Sequence, residues 1–236
     1  MLQPGFAWLA AAAFAASLGY FLYGYLFTFG ALPAESAGSW RALWSAPALV
    51  NCVLFTAFAL HHSLFARTRV KQVVRSLLPP ALERAAYTLL ASALFALVCW
   101  LWRPVDGVAW SLPGLWWWAG FAAQAAGIVM TVIGASALDV LDLAGVRQVL
   151  PGPRREAALK TDGVYGFVRH PLYFAWILVV FGAPVMTMTR LTFAVISTLY
   201  LAVAIPLEER SLIETFGNDY ASYQKSVRWR MLPGIY

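Results

Sequence analysis

Two groups of residues late in the sequence carry opposite charges at a spacing that could hold a zwitterion. The first is Arg169-His170-Pro171-Leu172-Tyr173. Asp162-Gly163 ahead of it is a turn signal, and Pro171 suits the first turn of a helix, where a missing N–H is no loss. Arg169 and His170 then sit at a helix N-terminus, whose unpaired N–H groups and positive dipole end favour an anion the size of a carboxylate or phosphate. Tyr173 follows one turn later and faces the same way as His170. The second group is Pro206-Leu207-Glu208-Glu209-Arg210. Adjacent side chains on a helix point about 100° apart, so the two carboxylates cannot form one acid dyad. One of them can pair with an arginine while the other binds a ligand. A hairpin over residues 172–206 brings the two groups together. The plainer alternatives are an Arg-His pair reaching to lipid phosphate and a helix exit stapled by ion pairs to Arg169 or Arg210.

The elements that must position these residues are membrane helices. Hydrophobic residues make up 61% of the 236 and charged residues 12%, about half the charged share of a soluble domain. Six apolar segments are expected at about 6–28, 46–66, 85–102, 114–138, 172–187 and 191–206. The first four are long enough for a hydrocarbon core of about 30 Å. The last two are shorter, separated by Met186-Thr187-Met188-Thr189-Arg190, and read as a tight helical hairpin. The expected fold class is all-α and polytopic, with about six transmembrane helices. Residues 1–138 supply helices one to four. Residues 139–236 supply a C-terminal core made of a loop, the hairpin and a cofactor-binding tail.

Charge sets the expected orientation. Fourteen of the 17 basic residues fall in the second-to-third connection (Arg67, Arg69, Lys71, Arg75, Arg84), the fourth-to-fifth connection (Arg147, Arg154, Arg155, Lys160, Arg169) or the tail (Arg210, Lys225, Arg228, Arg230). Only Arg41, Arg103 and Arg190 fall on the other side. The positive-inside rule therefore puts both ends in the cytoplasm, and the expected location is a bacterial inner membrane. The net charge of +6 is topogenic and attracts anionic lipid, and it does not indicate nucleic acid. Trp40, Trp44, Trp100, Trp102, Trp110 and Trp116 to Trp118 lie near the ends of apolar runs, as an interfacial belt would. Val70, Val73, Val74, Leu77 and Leu78 recur at helical spacing between basic residues and predict a short amphipathic surface piece. Cys52 and Cys99 lie within apolar runs, with no CxxC or metal-type spacing. No Lys or Arg precedes the first apolar run, which predicts a retained first helix.

The spans hold few ionisable groups, whereas a transporter carries them at mid-membrane. This favours an enzyme working at the membrane face. His61 and His62 diverge by about 100° on a helix and cannot both ligate one metal without help. They suit interfacial packing or an acceptor pocket. Asp139 and Asp142 are expected to cap a helix or pair with Arg147.

Arg169-His170-Pro171-Leu172-Tyr173, then Glu208-Glu209, then Phe216-Gly217 with Tyr220, Tyr223 and Pro233, resembles the isoprenylcysteine carboxyl methyltransferase superfamily over residues 160–233. The rest of the chain is most similar to its methanethiol S-methyltransferase branch and in part to NnrU-type membrane proteins. The residues that carry this are Leu60-His61-His62-Ser63-Leu64-Phe65-Ala66-Arg67, Pro79-Pro80-Ala81-Leu82-Glu83-Arg84, Leu143-Ala144-Gly145-Val146-Arg147-Gln148 and Pro184-Val185-Met186-Thr187. Asp139-Val140-Leu141 stands where that branch has an Asp-His-Phe stretch, and Arg190 where it has a histidine. Both departures bear on the methyl acceptor.

The resemblance implies S-adenosylmethionine as methyl donor; from the histidine spacing no metal is expected. His170, in its motif with Pro171, would hold the methionine end and ribose together with Tyr173 and Glu208 or Glu209. Tyr165, Tyr220 and Tyr223 would wall the donor. The implied acceptor is a small or lipophilic thiol, or an isoprenylcysteine-like carboxylate. A phospholipid amine and a non-catalytic NnrU-type accessory role are the alternatives. No glycine-rich dinucleotide fingerprint is present, so the donor site is not that of the soluble methyltransferases. Transfer from a sulfonium needs the reacting atoms in line and water kept out. A thiol must also become a thiolate, and its unperturbed pKa of about 8.5 would be lowered by a nearby cation, for which Arg169 and Arg210 are the candidates.

Overall fold

The computed structural model describes residues 2–31, 40–65, 76–151 and 158–236. The basic residues Arg67, Arg69, Lys71, Arg75, Arg154 and Arg155, and the predicted amphipathic positions Val70, Val73 and Val74, lie outside the described residues.

The protein is an all-α polytopic membrane protein. Its long helices are α1 (Leu2–Tyr23, continued by a π-helical turn Gly24–Thr28), α2 (Ala46–Phe65), α3 (Glu83–Leu101) and α4 (Leu115–Ser136). A short α5 (Val140–Leu143) leads to α6 (Pro171–Phe181), then α7 (Met188–Phe216) and α8 (Asn218–Ser226). Five helices among the described residues are long and apolar enough to cross a membrane: Gln3–Thr28, Ala46–Phe65, Pro80–Leu101, Leu115–Ser136 and Met188–Phe216.

The predicted fifth span differs from expectation. α6 has 11 residues, so it rises about 16 Å, roughly half of the hydrocarbon thickness. Gly182 ends it, and Pro184 cannot continue a helix. The chain then runs extended as β2 (Val185–Thr187), paired antiparallel with β1 (Val108–Ser111). Residues 186–190 are therefore a strand and a helix start rather than a bare turn. The predicted sixth span also extends further: α7 runs 29 residues, straight through Pro206 and both glutamates.

Non-helical backbone at membrane depth needs partners inside the protein. Asn51 supplies two for the α3–β1 connection, donating to the Arg103 carbonyl and accepting from its N–H, each at 2.8 Å. Thr189 Oγ1 accepts from Val105 N at 2.9 Å. Arg190 donates to the carbonyls of Tyr25 at 3.0 Å, Leu26 at 2.6 Å and Val185 at 2.7 Å. It thus satisfies the π-helical turn and the strand together.

The core is an aromatic knot built from α1, α2, α3, α6 and α7. Phe193, with 0% exposure, sits at its centre, against Phe21, Tyr25, Phe55 and Trp102 at centroid distances of 5.0, 5.8, 5.7 and 5.1 Å. Lipid chains are as apolar as these rings, so dispersion from close packing holds the knot rather than escape from water. Trp102, expected in the interfacial belt, is buried here, whereas Trp40, Trp44, Trp100, Trp116 and Trp118 are exposed.

α4 packs on α6 through a seam of three glycines spaced seven apart. A Cβ at Gly120 would lie 2.7 Å from the Gly182 carbonyl oxygen, one at Gly127 would lie 2.6 Å from that of Ala175, and one at Gly134 would lie 2.9 Å from Leu172. Only glycine lets the two backbones approach this closely. The seam fixes where α6 begins, and so where Arg169 and His170 stand.

Candidate functional site

α6, α7 and the tail after α8 meet at one end of the bundle, and the two polar groups predicted from sequence meet there with them. The adjacent glutamates have opposite fates. Glu209 is 3% exposed. Its Oε1 accepts from Arg169 Nε at 2.7 Å and faces His170 Nε2 at 3.4 Å. Its Oε2 accepts from Gln224 Nε2 and from Arg230 Nε, both at 3.2 Å. Glu208 points outward, with its side chain 45% exposed. Its Oε2 accepts from the Tyr173 hydroxyl at 2.8 Å and lies 3.6 Å from His170 Nδ1. The His170 ring stacks on Tyr173 at 5.3 Å and 11°.

The predicted anion site at the start of α6 is therefore filled from within. Arg169 N donates to the Trp229 carbonyl at 2.9 Å and His170 N to that of Arg230 at 2.8 Å. Tyr173 N and Phe174 N both donate to the His170 carbonyl at 3.1 Å, and Pro171 has no N–H. Arg169 Nη1 donates to Val227 O at 2.7 Å and Arg228 O at 2.9 Å. Glu209 meets the side chains of Arg169 and His170 there, and tail carbonyls take the N–H groups of both residues. The reason is burial: a cation this deep needs a full set of acceptors.

The two arginines expected near a thiol are placed differently. Arg169 stands at the centre as a buried cation, with Nε committed to Glu209 and Nη1 to the Val227 and Arg228 carbonyls. Arg210 is exposed on α7, about 100° around the helix from Glu209, and does not join the cluster.

The three tyrosines also divide. Tyr220 and Tyr223 are buried and pack with Val227 against Leu159, Leu212 and Phe216, so they seat α8 more than they line an opening. Burial pushes the Tyr223 hydroxyl up to about 12, so it remains a donor at neutral pH and gives its proton to the Tyr165 carbonyl at 2.6 Å. The Tyr165 hydroxyl reaches the Gly134 carbonyl at 3.4 Å, tying this loop to the glycine seam. Asp139 caps α5 through Asp142 N at 3.1 Å and pairs with Arg147 Nε at 2.9 Å.

Gln224 and Tyr236 were not singled out in the sequence, and Arg230 only as a basic residue of the tail. Pro206 has no N–H to give the Ala202 carbonyl four residues back. The Tyr236 hydroxyl donates there at 3.3 Å while accepting from Arg230 Nη1 at 3.1 Å. A proline inside an apolar span, and a buried carboxylate with room for more than one cation, were the available signals.

Residues 146–214 match the model of the isoprenylcysteine carboxyl methyltransferase (ICMT) family. The methanethiol S-methyltransferase of Pseudomonas deceptionensis is 32% identical over 206 residues, covering 82% of this chain and 76% of that protein. That of Crocosphaera subtropica is 36% identical over 187 residues, covering 76% and 72%. The chain belongs to the isoprenylcysteine carboxyl methyltransferase family. Family membership makes it a membrane methyltransferase. A more distant family relative, the protein-S-isoprenylcysteine O-methyltransferase of Dictyostelium discoideum, is 31% identical over 123 residues, covering 51% of this chain and 50% of that protein. No solved structure matches this chain. The family match runs through α6 and α7 to Glu208 and Glu209 and stops before the tail residues that complete the Glu209 cluster.

Proposed function

We propose that the protein transfers the methyl group of S-adenosylmethionine to a small or lipophilic thiol at the cytoplasmic face of a bacterial inner membrane, with both chain ends on that side. The observation that carries this reading is the division of labour between the glutamates. Glu209 is saturated by protein donors, whereas Glu208 presents an open carboxylate held by Tyr173 beside His170. Such a carboxylate suits the ammonium group or the ribose hydroxyls of the donor, so the residues present fit it.

The bound donor supplies an electrophilic methyl group on a sulfonium. Glu208 and Tyr173 bind and orient. His170, stacked on Tyr173, fixes that ring. The Arg169–Glu209 pair anchors the start of α6 to α7 and the tail, which keeps His170 and Glu208 in register. Tyr165 is the half-buried member of the tyrosine set and flanks the site, with Tyr220 and Tyr223 as its buried support. A thiol is favoured over an isoprenylcysteine carboxylate because the relatives matched over most of their length are named for methanethiol. Orientation follows the distribution of basic residues along the sequence by the positive-inside rule.

The test is calorimetric titration of S-adenosylhomocysteine into the purified protein in lipid nanodiscs, followed by transfer of labelled methyl to ethanethiol and to a farnesylcysteine analogue. Micromolar binding and methylation of the thiol are expected. Folded wild type that binds no S-adenosylhomocysteine would falsify the reading.

A further inference from the structure

A second polar cluster lies beside the donor site, where α2 and α3 meet the stretch of α7 that precedes the glutamates. His62, one turn from the end of α2, is enclosed by rings: Phe58 at 5.7 Å, Tyr87 of α3 at 5.7 Å and Tyr200 of α7 at 6.4 Å. The Tyr87 hydroxyl lies 2.8 Å from His62 Nδ1 and also reaches the His62 carbonyl at 3.4 Å. The Tyr200 hydroxyl lies 3.3 Å from Ser63 Oγ. Tyr200 lies about two turns along α7 before Glu208, the carboxylate that Tyr173 holds. Polar groups set into apolar helices are expensive and mark a substrate path more often than a packing accident.

A mostly apolar cavity of about 320 Å³ adjoins this cluster, sharing Tyr87 as a wall and otherwise lined by Phe65, Leu77, Leu78, Ala86 and Leu90, with Glu83 as a charged member of the lining. Its volume lies at the lower end of small-molecule sites. Its lining suits an uncharged, apolar compound and repels a carboxylate or phosphate.

Resting on the methyltransferase reading above, we propose that His62, held by Tyr87 beside the Tyr173–Glu208 rim, takes the proton of an apolar alkanethiol acceptor that enters through this cavity. When the Tyr87 hydroxyl donates to the His62 carbonyl, Nδ1–H donates to the Tyr87 oxygen and Nε2 keeps its lone pair. The thiol S–H bond breaks with its proton moving to Nε2. The sulfur electron pair forms the new S–CH3 bond as the bond between methyl and sulfonium sulfur breaks, its electrons staying on the departing sulfur. The proton then leaves His62 for water. The other titratable groups around His62 and the cavity are His61 on its own helix, Tyr87 and Glu83 on α3, Tyr200 on α7 and, beyond them, Tyr173 and Glu208. None of these described groups is a fixed cation, and Arg169 is paired with Glu209 and the tail carbonyls in the other cluster, which leaves His62 as the base.

The experiment compares wild type with H62Q and Y87F in nanodiscs. S-adenosylhomocysteine binding is measured by calorimetry, and ethanethiol methylation is followed from pH 6 to 10. H62Q is expected to bind S-adenosylhomocysteine as wild type does and to lose about 100-fold in thiol methylation at pH 7. Its residual rate should climb about tenfold per pH unit as the thiol ionises unaided, whereas the wild-type rate levels off. Y87F, which keeps the imidazole but loses its anchor, is expected to lose less and to retain the wild-type plateau. H62Q methylating ethanethiol within threefold of wild type, with the same pH profile, would overturn the proposal and leave the methyltransferase reading intact. Wild type that binds S-adenosylhomocysteine but methylates no thiol would overturn it too. Wild type that binds no S-adenosylhomocysteine removes both.

Discussion

Glu208 and Glu209 are neighbours in sequence and should behave as different residues. Glu209→Gln keeps the shape of the side chain and removes its charge. The carboxylate now meets donors from Arg169, Gln224 and Arg230 and faces His170. An amide offers only one oxygen, and its NH2 would point at groups that also donate. The Arg169 guanidinium, in a side chain only 6% exposed, would lose its ionic partner. Removing one partner of a buried pair costs about 3–5 kcal/mol. At roughly 2–4 °C per kcal/mol for a chain of this size, the apparent melting temperature falls by about 6–20 °C. Glu208→Gln removes an outward carboxylate whose protein partners are the Tyr173 hydroxyl and, at longer range, His170. Melting should stay within about 2 °C of wild type, because a surface group with few partners adds little, while S-adenosylhomocysteine binding weakens at least tenfold. The assay is thermal unfolding in nanodiscs followed by intrinsic fluorescence, with calorimetric titration on the same samples. If E208Q proves the less stable variant, or E209Q melts like wild type, the assignment of one glutamate to the fold and the other to the ligand is wrong.

Two further outcomes follow from the packing. Gly127→Ala puts a methyl group 2.6 Å from the Ala175 carbonyl oxygen and 2.9 Å from Val179 Cγ2; a cost of about 1–3 kcal/mol is expected from overpacking. Because the helices must separate at the seam that places His170, donor affinity should fall with melting temperature in calorimetry, and unchanged affinity would contradict the seam's positioning role. Arg190→Ala leaves the carbonyls of Tyr25, Leu26 and Val185 without their donor and lowers the melting temperature. Eighteen helical positions, about 27 Å, separate Arg190 from Glu208, so S-adenosylhomocysteine affinity below the new melting point should match wild type.

The reach of sequence reasoning here follows the physics of each signal. Long apolar runs report the bilayer directly, so α1 to α4 were legible. α6 was not, because periodicity cannot separate a half-length helix followed by a buried strand from one short span. The partner strand Val108–Ser111 lies far away in sequence and carries no mark of its pairing. The meeting of Arg169-His170 with Glu208-Glu209 was legible from the hairpin. Which glutamate faces inward was not, since that depends on Gln224 and Arg230, which come from a tail whose path no local pattern sets. The glycines of α4 stood in plain view at a spacing of seven. Membrane helices tolerate glycine for several reasons, and only the carbonyls of Ala175 and Gly182 show which reason applies.

The tail closure has a consequence for how the protein is made. Carbonyls at Val227 and Arg228 complete the set around Arg169, and those at Trp229 and Arg230 cap the start of α6. All four are translated after the last membrane helix. While α6 and α7 enter the bilayer, Arg169 and Glu209 have each other but lack the tail. They must stay near water at the membrane surface until it arrives. Insertion and completion of the site are thus separate events in biosynthesis. A chain released before Val227 would enter the membrane with its helices in place and its buried ion pair still open.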